Sequence, residues 1–183
     1  MNLKPWFLKF STLVLTIILS LTIFSLPASA YDESDLSNFQ HRKICMGCDL
    51  SDAQLDNLDL SGAYLYNSDL TNASLNNANL TKANLEKTRL NGATLINANL
   101  SGEDTNLKGA ILVGANLSEA NISEANMQDT NLKDATLKGT SLCDTELLGA
   151  TMPDDTIYYE RTTDLSVWEV ESNCPHDPGE DTN

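Results

Sequence analysis

Four cysteines are the side chains of this sequence with the most evident chemistry: Cys45, Cys48, Cys143 and Cys174. Cys45-Met46-Gly47-Cys48 has the C-x-x-C spacing of dithiol redox centres, in which one thiolate attacks and its neighbour resolves the mixed disulfide. No strand–helix–strand pattern of the thioredoxin kind surrounds it. The same spacing is half of a zinc site, with His41 nearby and His176 far along the chain, but the second pair of ligands is missing. No Ser/His/Asp constellation, phosphate-binding glycine loop or metal-ligand cluster follows. The reading is therefore of a protein that is not an enzyme, without catalytic, metal-binding or cofactor-binding residues.

The elements that carry these residues begin with an address rather than a fold. Lys4 and Lys9 precede an uncharged apolar run from Ser11 to Leu26, and Ala28-Ser29-Ala30 supplies the small residues of a cleavage site. The run is short for a membrane span, which takes about 20 apolar residues. Residues 1–30 are thus expected to be a signal peptide, leaving a mature form without a membrane segment. The formal charge of −15 becomes −17 when Lys4 and Lys9 leave with the signal. Such a chain lacks the clustered cations that nucleic-acid binding requires. An exported chain also meets conditions in which disulfides persist.

From Leu50 an apolar residue recurs every five positions through Leu100, and after a two-residue slip again from Leu107 to Met152. Of these twenty-one centres eighteen are Leu, the others being Ile122, Met127 and Met152. Two residues before each centre stands a small side chain, Ala in thirteen repeats and Thr in five, with Cys48, Leu58 and Ser68 as exceptions. A helix would scatter a five-residue period around its circumference, since each residue turns about 100°. A flat strand would send alternate leucines to opposite faces. A core forms only if the small residue, the next residue and the leucine make a short in-out-in strand and the following two residues turn a corner. Those corner positions are accordingly rich in turn-forming residues, as in Ser61-Gly62 and Asn91-Gly92.

Units such as Ala78-Asn79-Leu80-Thr81-Lys82 and Ala125-Asn126-Met127-Gln128-Asp129 resemble the pentapeptide-repeat family. The resemblance covers residues 48–152. It implies an all-β right-handed quadrilateral β-helix of about five coils, four repeats to a coil. Residues 20 apart, or 22 across the slip, would then stack. Asn79, Asn99 and Asn121 would share one outer face and Asn84, Asn106 and Asn126 the next, where amides are expected to hydrogen-bond along the axis as ladders. Tyr64 and Tyr66 would both point outward on the fourth face, making them the leading contact residues. The slip, Ser101-Gly102-Glu103-Asp104-Thr105, would push Glu103 and Asp104 out of an edge as a second contact point.

Caps are expected at both ends of such a coil. Residues 31–47 would form the N-terminal cap, with a short helix suggested by Ser37 and Gln40 as a capping box. Residues 153–174 would form the C-terminal cap, with Leu165, Val167, Trp168 and Val170 folding over the last coil, and 175–183 a disordered tail. Met152-Pro153-Asp154-Asp155-Thr156-Ile157-Tyr158 resembles the M-P-D-G-T-I-Y run that closes related domains, and Asp155 in place of glycine suggests a distorted turn. The family's C-x-x-C-D-L entrance to the first repeat likewise favours a structural cap at Cys45 and Cys48. Under the implied coil, Cys45 and Cys48 lie at one end and Cys143, pointing outward, near the other, which leaves the pairs Cys45–Cys48 and Cys143–Cys174. Cys48 as a buried free thiol is the alternative.

The functional expectation is an exported, non-enzymatic interaction scaffold of the periplasm or thylakoid lumen, with an unidentified protein partner, as a monomer or weak end-to-end dimer. A redox-responsive regulator acting through its cysteines is one alternative. Another is an acidic DNA mimic of the gyrase-binding type, which some family members exemplify and which export disfavours.

Overall fold

The computed structural model describes residues 32–159 and residue 170. The expected signal peptide, the tail 175–183, and Leu165, Val167 and Trp168 lie outside these. The chain opens with helix α1, Glu33–Arg42. Asp32 caps it, its carboxylate accepting from the N–H groups of Ser34 and Asp35, and Lys43 ends it in the left-handed region at φ 53°. Ser37 and Gln40, read as a capping box, instead lie inside the helix, because the Asp32 cap starts it five residues earlier. Phe39 is fully buried against the first coil. The Asp35 carboxylate accepts the Asp49 N–H at 3.0 Å, fastening the helix to the repeat.

Beyond the helix the chain winds into a four-sided β-helix. Parallel bridges connect residues 20 apart, from Ile44–Tyr64 and Asp49–Asp69 onward, and 22 apart where they cross the slip, as in Asn84–Asn106 and Asn99–Asn121. Each bridge residue lies one position before a centre, so each side of the coil is one short strand. We name the four faces by their first centres: A from Leu50, B from Leu55, C from Leu60 and D from Leu65. Rungs lock through backbone bonds: Leu55 N–H donates to Ser74 O at 2.7 Å, and Ser74 N–H donates to Ala53 O at 2.9 Å.

The stack begins one repeat earlier than its leucines. Ile44 bridges Tyr64, and Cys45 N–H donates to Tyr64 O at 2.7 Å as a centre does. Lys43–Gly47 is therefore a repeat of face D, with Cys45 buried in the leucine position, rather than part of a cap ending at residue 47.

At each corner the second residue after the centre has positive φ, as at Asp52 (58°), Asn57 (60°), Gly62 (67°) and Lys82 (61°). In most corners the small residue then donates its N–H to the centre's carbonyl, as Ala63 does to Leu60 at 3.0 Å. Positive φ at the third of four residues is the signature of a type II turn. The centre leucines fill the interior, those from Leu50 to Leu100 being at most 4 % exposed, while Leu58 at a small position is partly buried. Threonines at the small position hide their hydroxyls by donating to backbone carbonyls, Thr88 to Leu65 O at 2.9 Å and Thr140 to Leu117 O at 2.8 Å. Among the described residues no buried side-chain polar atom lacks a partner.

At the far end the chain reverses on itself. Thr151 pairs antiparallel with Ile157, and Met152 N–H donates to Thr156 O at 2.7 Å. Asp155 does not distort this turn: it adopts φ 70° and its carboxylate binds Lys133 at 2.7 Å. Asp is among the L residues that tolerate the left-handed region. Val170 packs, partly buried, against the core.

Candidate interaction surface

Cys45 and Cys48 are joined by a disulfide with a Cα–Cα distance of 5.4 Å. It spans the first corner, from the face D centre to the following small position. Here Cys48 N–H does not donate to the Cys45 carbonyl. The Ser68 hydroxyl stands between them, donating to Cys45 O and accepting from Cys48 N at 3.3 Å. Covalent bond and serine together replace the turn hydrogen bond. Cys143 also takes part in a disulfide, but Cys174 lies outside the described residues. Although Cys143 follows its centre in the outward register, it is only 5 % exposed, with the Ser141 hydroxyl donating to its sulfur at 3.6 Å. Outward register is not the same as solvent contact where other residues cover it. Among the described residues no group of His, Cys, Asp or Glu is arranged to hold a metal ion, and no helix is long and apolar enough to cross a membrane.

The asparagines stack in the expected columns, Asn79–Asn99–Asn121 and Asn84–Asn106–Asn126. Their amides do not bond one another along the axis, although those of Asn79 and Asn106 donate to Asp59 and Glu86 of the preceding coil at 3.2 and 3.4 Å. Each side-chain carbonyl instead accepts the backbone N–H two residues on, Thr81 to Asn79 at 3.2 Å, Ser101 to Asn99 at 3.2 Å and Lys108 to Asn106 at 2.9 Å. A nearby hydroxyl adds a second bond where Ser or Thr follows, as from Ser101 Oγ at 2.8 Å. The oxygen thus clips the corner that follows it, a local donor winning over the neighbouring coil. The doubly bonded form occurs at Asn79-Leu80-Thr81, Asn99-Leu100-Ser101 and Asn116-Leu117-Ser118.

Aspartates make the same clip and are held ionised by it. The hydroxyl and N–H of Ser61, with Lys43, lower the Asp59 pKa from 3.8 to about 2. Asp154 is lowered by Thr156 and Asp32 by Ser34. At Asp69 burial is the largest single influence and pushes upward, but the bonds from Arg89 and Thr71 together outweigh it and the pKa is lowered.

Face D collects the exposed apolar side chains of the first coils. Ile44 is 59 % exposed, Met46 64 % and Tyr64 38 %. Ile44 lies directly over Tyr64. Tyr66 is half-buried, with Lys87 Nζ 5.4 Å from its ring centroid and 3.3 Å from its hydroxyl, so that Lys87 is held protonated chiefly by that hydroxyl and then by Glu86. The structure therefore brings Tyr64 and Tyr66 together with Ile44 and Met46, which sequence reasoning missed. Counting five residues back from Leu50 places Cys45 at a centre and exposes both of its neighbours.

Glu103 and Asp104 protrude, both exposed, from the corner between faces C and D. Thr105 seals the bulge, accepting from Lys82 N–H at 2.8 Å and donating to Ser101 O at 3.0 Å. Asp104 pairs with Lys82 at 3.3 Å. Farther along the same corner stand Glu124 and Asp144, with Glu146 on face D, around a shallow opening of about 310 Å³. Glu103 and Asp104 thus lie two rungs from the tyrosines along the axis and border an acidic region.

The sequence matches the family description "Pentapeptide repeats" in eight copies, over residues 48–86, 73–102 and 103–139. Among solved structures, it is similar to a pentapeptide repeat protein of the cyanobacterium Cyanothece, with 32 % identity over 68 % of this chain and 97 % of the other, at a TM-score of 0.41. A pentapeptide repeat protein of the Arabidopsis thaliana thylakoid lumen shares 34 % identity over 57 % of this chain and 69 % of that one, with a TM-score of 0.36. HetL of the cyanobacterium Nostoc, a pentapeptide repeat protein involved in heterocyst differentiation regulation, shares 26 % over 63 % of this chain and 76 % of its own, with a TM-score of 0.31. No curated protein matches the chain.

Proposed function

Since the chain belongs to the pentapeptide-repeat family of right-handed quadrilateral β-helices, we propose that it is an exported, non-enzymatic scaffold that binds a protein partner through the N-terminal half of face D. The observation that carries this reading is the exposed cluster of Ile44, Met46 and Tyr64 beside Tyr66. The side chains lie on a rigid, hydrogen-bonded wall whose interior is filled by leucines, so the molecule offers surfaces rather than a cavity for substrate. Aromatic and methionine side chains are enriched in protein interfaces. Export rests on Lys4, Lys9, the apolar run and Ala28-Ser29-Ala30. The Cys45–Cys48 disulfide suits an oxidising periplasm or thylakoid lumen.

Two measurements test the reading. Fractionation should find a form shortened by about thirty residues outside the cytoplasm, at the length the cleavage site implies. Full-length protein kept in the cytoplasm would overturn export and return weight to an acidic DNA mimic. Affinity capture from the same fraction should retain a partner that the Ile44→Ser, Tyr64→Ser double variant loses. Equal retention by both would remove face D from the function.

A further inference from the structure

Face D has a polarity that its exposed tyrosines alone do not reveal. Its six rungs are centred on Cys45, Leu65, Leu85, Leu107, Met127 and Leu147. Along the corner it shares with face C, the first three rungs carry Lys43 and Lys82, whereas the last three carry Glu103, Asp104, Glu124 and Asp144. The two ends of the other edge are apolar: Met46 is 64 % exposed on the first rung and Leu148 58 % on the last. In a chain with a formal charge of −15, a cationic half-face beside an anionic one is a departure from its own average.

We infer that face D is self-complementary and that a second copy of this chain docks on it, face to face and antiparallel. This deepens the proposed scaffold reading by naming one occupant of the same surface. A two-fold axis lying in the contact plane, parallel to the strands and perpendicular to the solenoid axis, sends the first rung onto the sixth, the second onto the fifth and the third onto the fourth. It keeps the C/D edge of one copy against the C/D edge of the other. Lys43 then meets Asp144, Lys82 meets Glu103 and Met46 meets Leu148, each contact occurring twice, as an isologous interface requires. Tyr64 and Tyr66 on the second rung meet Asn126 and Gln128 on the fifth, hydroxyls opposite amides. Lys87 faces the Gly109 corner with its charge compensated by Glu86 at 3.3 Å. The existing pairs of Lys43 with Asp59 and Lys82 with Asp104 are solvent-exposed, and exposed pairs exchange readily. Helix α1 covers the first coil, so stacking through that end would have to displace it, whereas Ile44, Met46, Tyr64 and Leu148 on face D are exposed.

Six rungs about 4.8 Å apart and some five residues wide offer about 300–400 Å² per copy. That is below the roughly 800 Å² per partner of a standard interface, so the dimer is weak and charge-dependent.

Sedimentation equilibrium of the protein, in the form that accumulates in its host, tests the inference from about 10 µM to about 1 mM. The expected result is a mass that rises toward twice the monomer, with association weakened about tenfold between 0.05 and 0.5 M salt. Lys43→Glu with Lys82→Glu sets carboxylate against carboxylate at both edge contacts, and Glu103→Lys with Asp144→Lys sets lysine against lysine there. Each variant alone should stay monomeric and an equimolar mixture should associate again. Both charge types already occupy left-handed corners, Lys82 at 61° and Glu124 at 65°, and equal melting temperatures would certify folding. A monomer at every concentration, association unaltered by either variant, or a mixture that fails to associate overturns the inference. A monomeric protein that still captures a partner through Tyr64 leaves the scaffold reading standing. A dimer that captures nothing removes the scaffold reading and keeps this one.

Discussion

At the scale of the residue, the corner clip decides more than its exposed position suggests. Asn99 holds both the N–H and the hydroxyl of Ser101, and Asn116 does the same for Ser118. Replacing Asn99 by Ala should cost about 0.5–1 kcal/mol, while Asn99→Asp should cost little, since Asp49 and Asp69 make the same clip; urea unfolding of the two variants checks it. Acid should act on the aspartate clips in one direction. A carboxylate whose folded pKa is depressed contributes stability above its unfolded value and loses it as pH falls through the folded one, so the Asp59 contribution should vanish between pH 3.8 and about 2. Melting temperatures should be level from pH 7 to 5 and fall below pH 4; a fall already at pH 6 would point to other groups. Ser68 is a sharper case, for its hydroxyl serves both Cys45 O and Cys48 N–H from a fully buried position. Ser68→Ala should destabilise by about 1–3 kcal/mol and Ser68→Thr far less, because Thr88 occupies the same position one coil later.

At the scale of the element, the unit is one strand and one corner, and here the sequence was legible to different depths. Period five gave the stacking of Asn84 on Asn106 across the slip, because backbone pairing must keep every leucine inward whatever the corner contains. The earliest repeat was hidden because its centre is Cys45 and its small position Lys43, neither of which matches the pattern. The amide ladders were expected on the right residues for the wrong partner, since a column of asparagines and a series of local clips have the same spelling. Nothing in the five-residue pattern tells that Lys87 lies over Tyr66, for that contact joins residues 21 apart. The slip is also an element-scale test. Deleting Glu103 and Asp104 should restore an ordinary two-residue corner and change stability by no more than about 1 kcal/mol, as thermal unfolding would show. Complete loss of folding would mean that Thr105 and the bulge are needed to seal the third coil.

At the scale of the whole molecule, stability is a property of neighbouring coils rather than of residues added singly. Leu95 is fully buried in the middle coil, and a lysine there would set an ammonium among leucines with no carboxylate to meet it. Leu95→Lys should abolish folding, whereas Leu95→Ala should cost about 2–5 kcal/mol and still fold; circular dichroism distinguishes the two. A Leu95→Lys variant that melted within a few degrees of the parent would refute the register. The surface follows a different rule from the core. Because each outer column draws one residue from every coil, the tyrosines of one rung and the carboxylates of another sit on the same wall while lying 20 or more positions apart in sequence.

The two extra residues at 101–105 separate contour length from phase. A residue added at a corner lengthens the path without rotating anything that follows it, as the return to 20-residue spacing after Asn106 demonstrates. A residue added between a small position and its leucine would turn every later strand inside out. Extra residues are therefore accommodated at corners and excluded from the strands between them. A corner insertion can trial a new loop without altering the coils on either side of it.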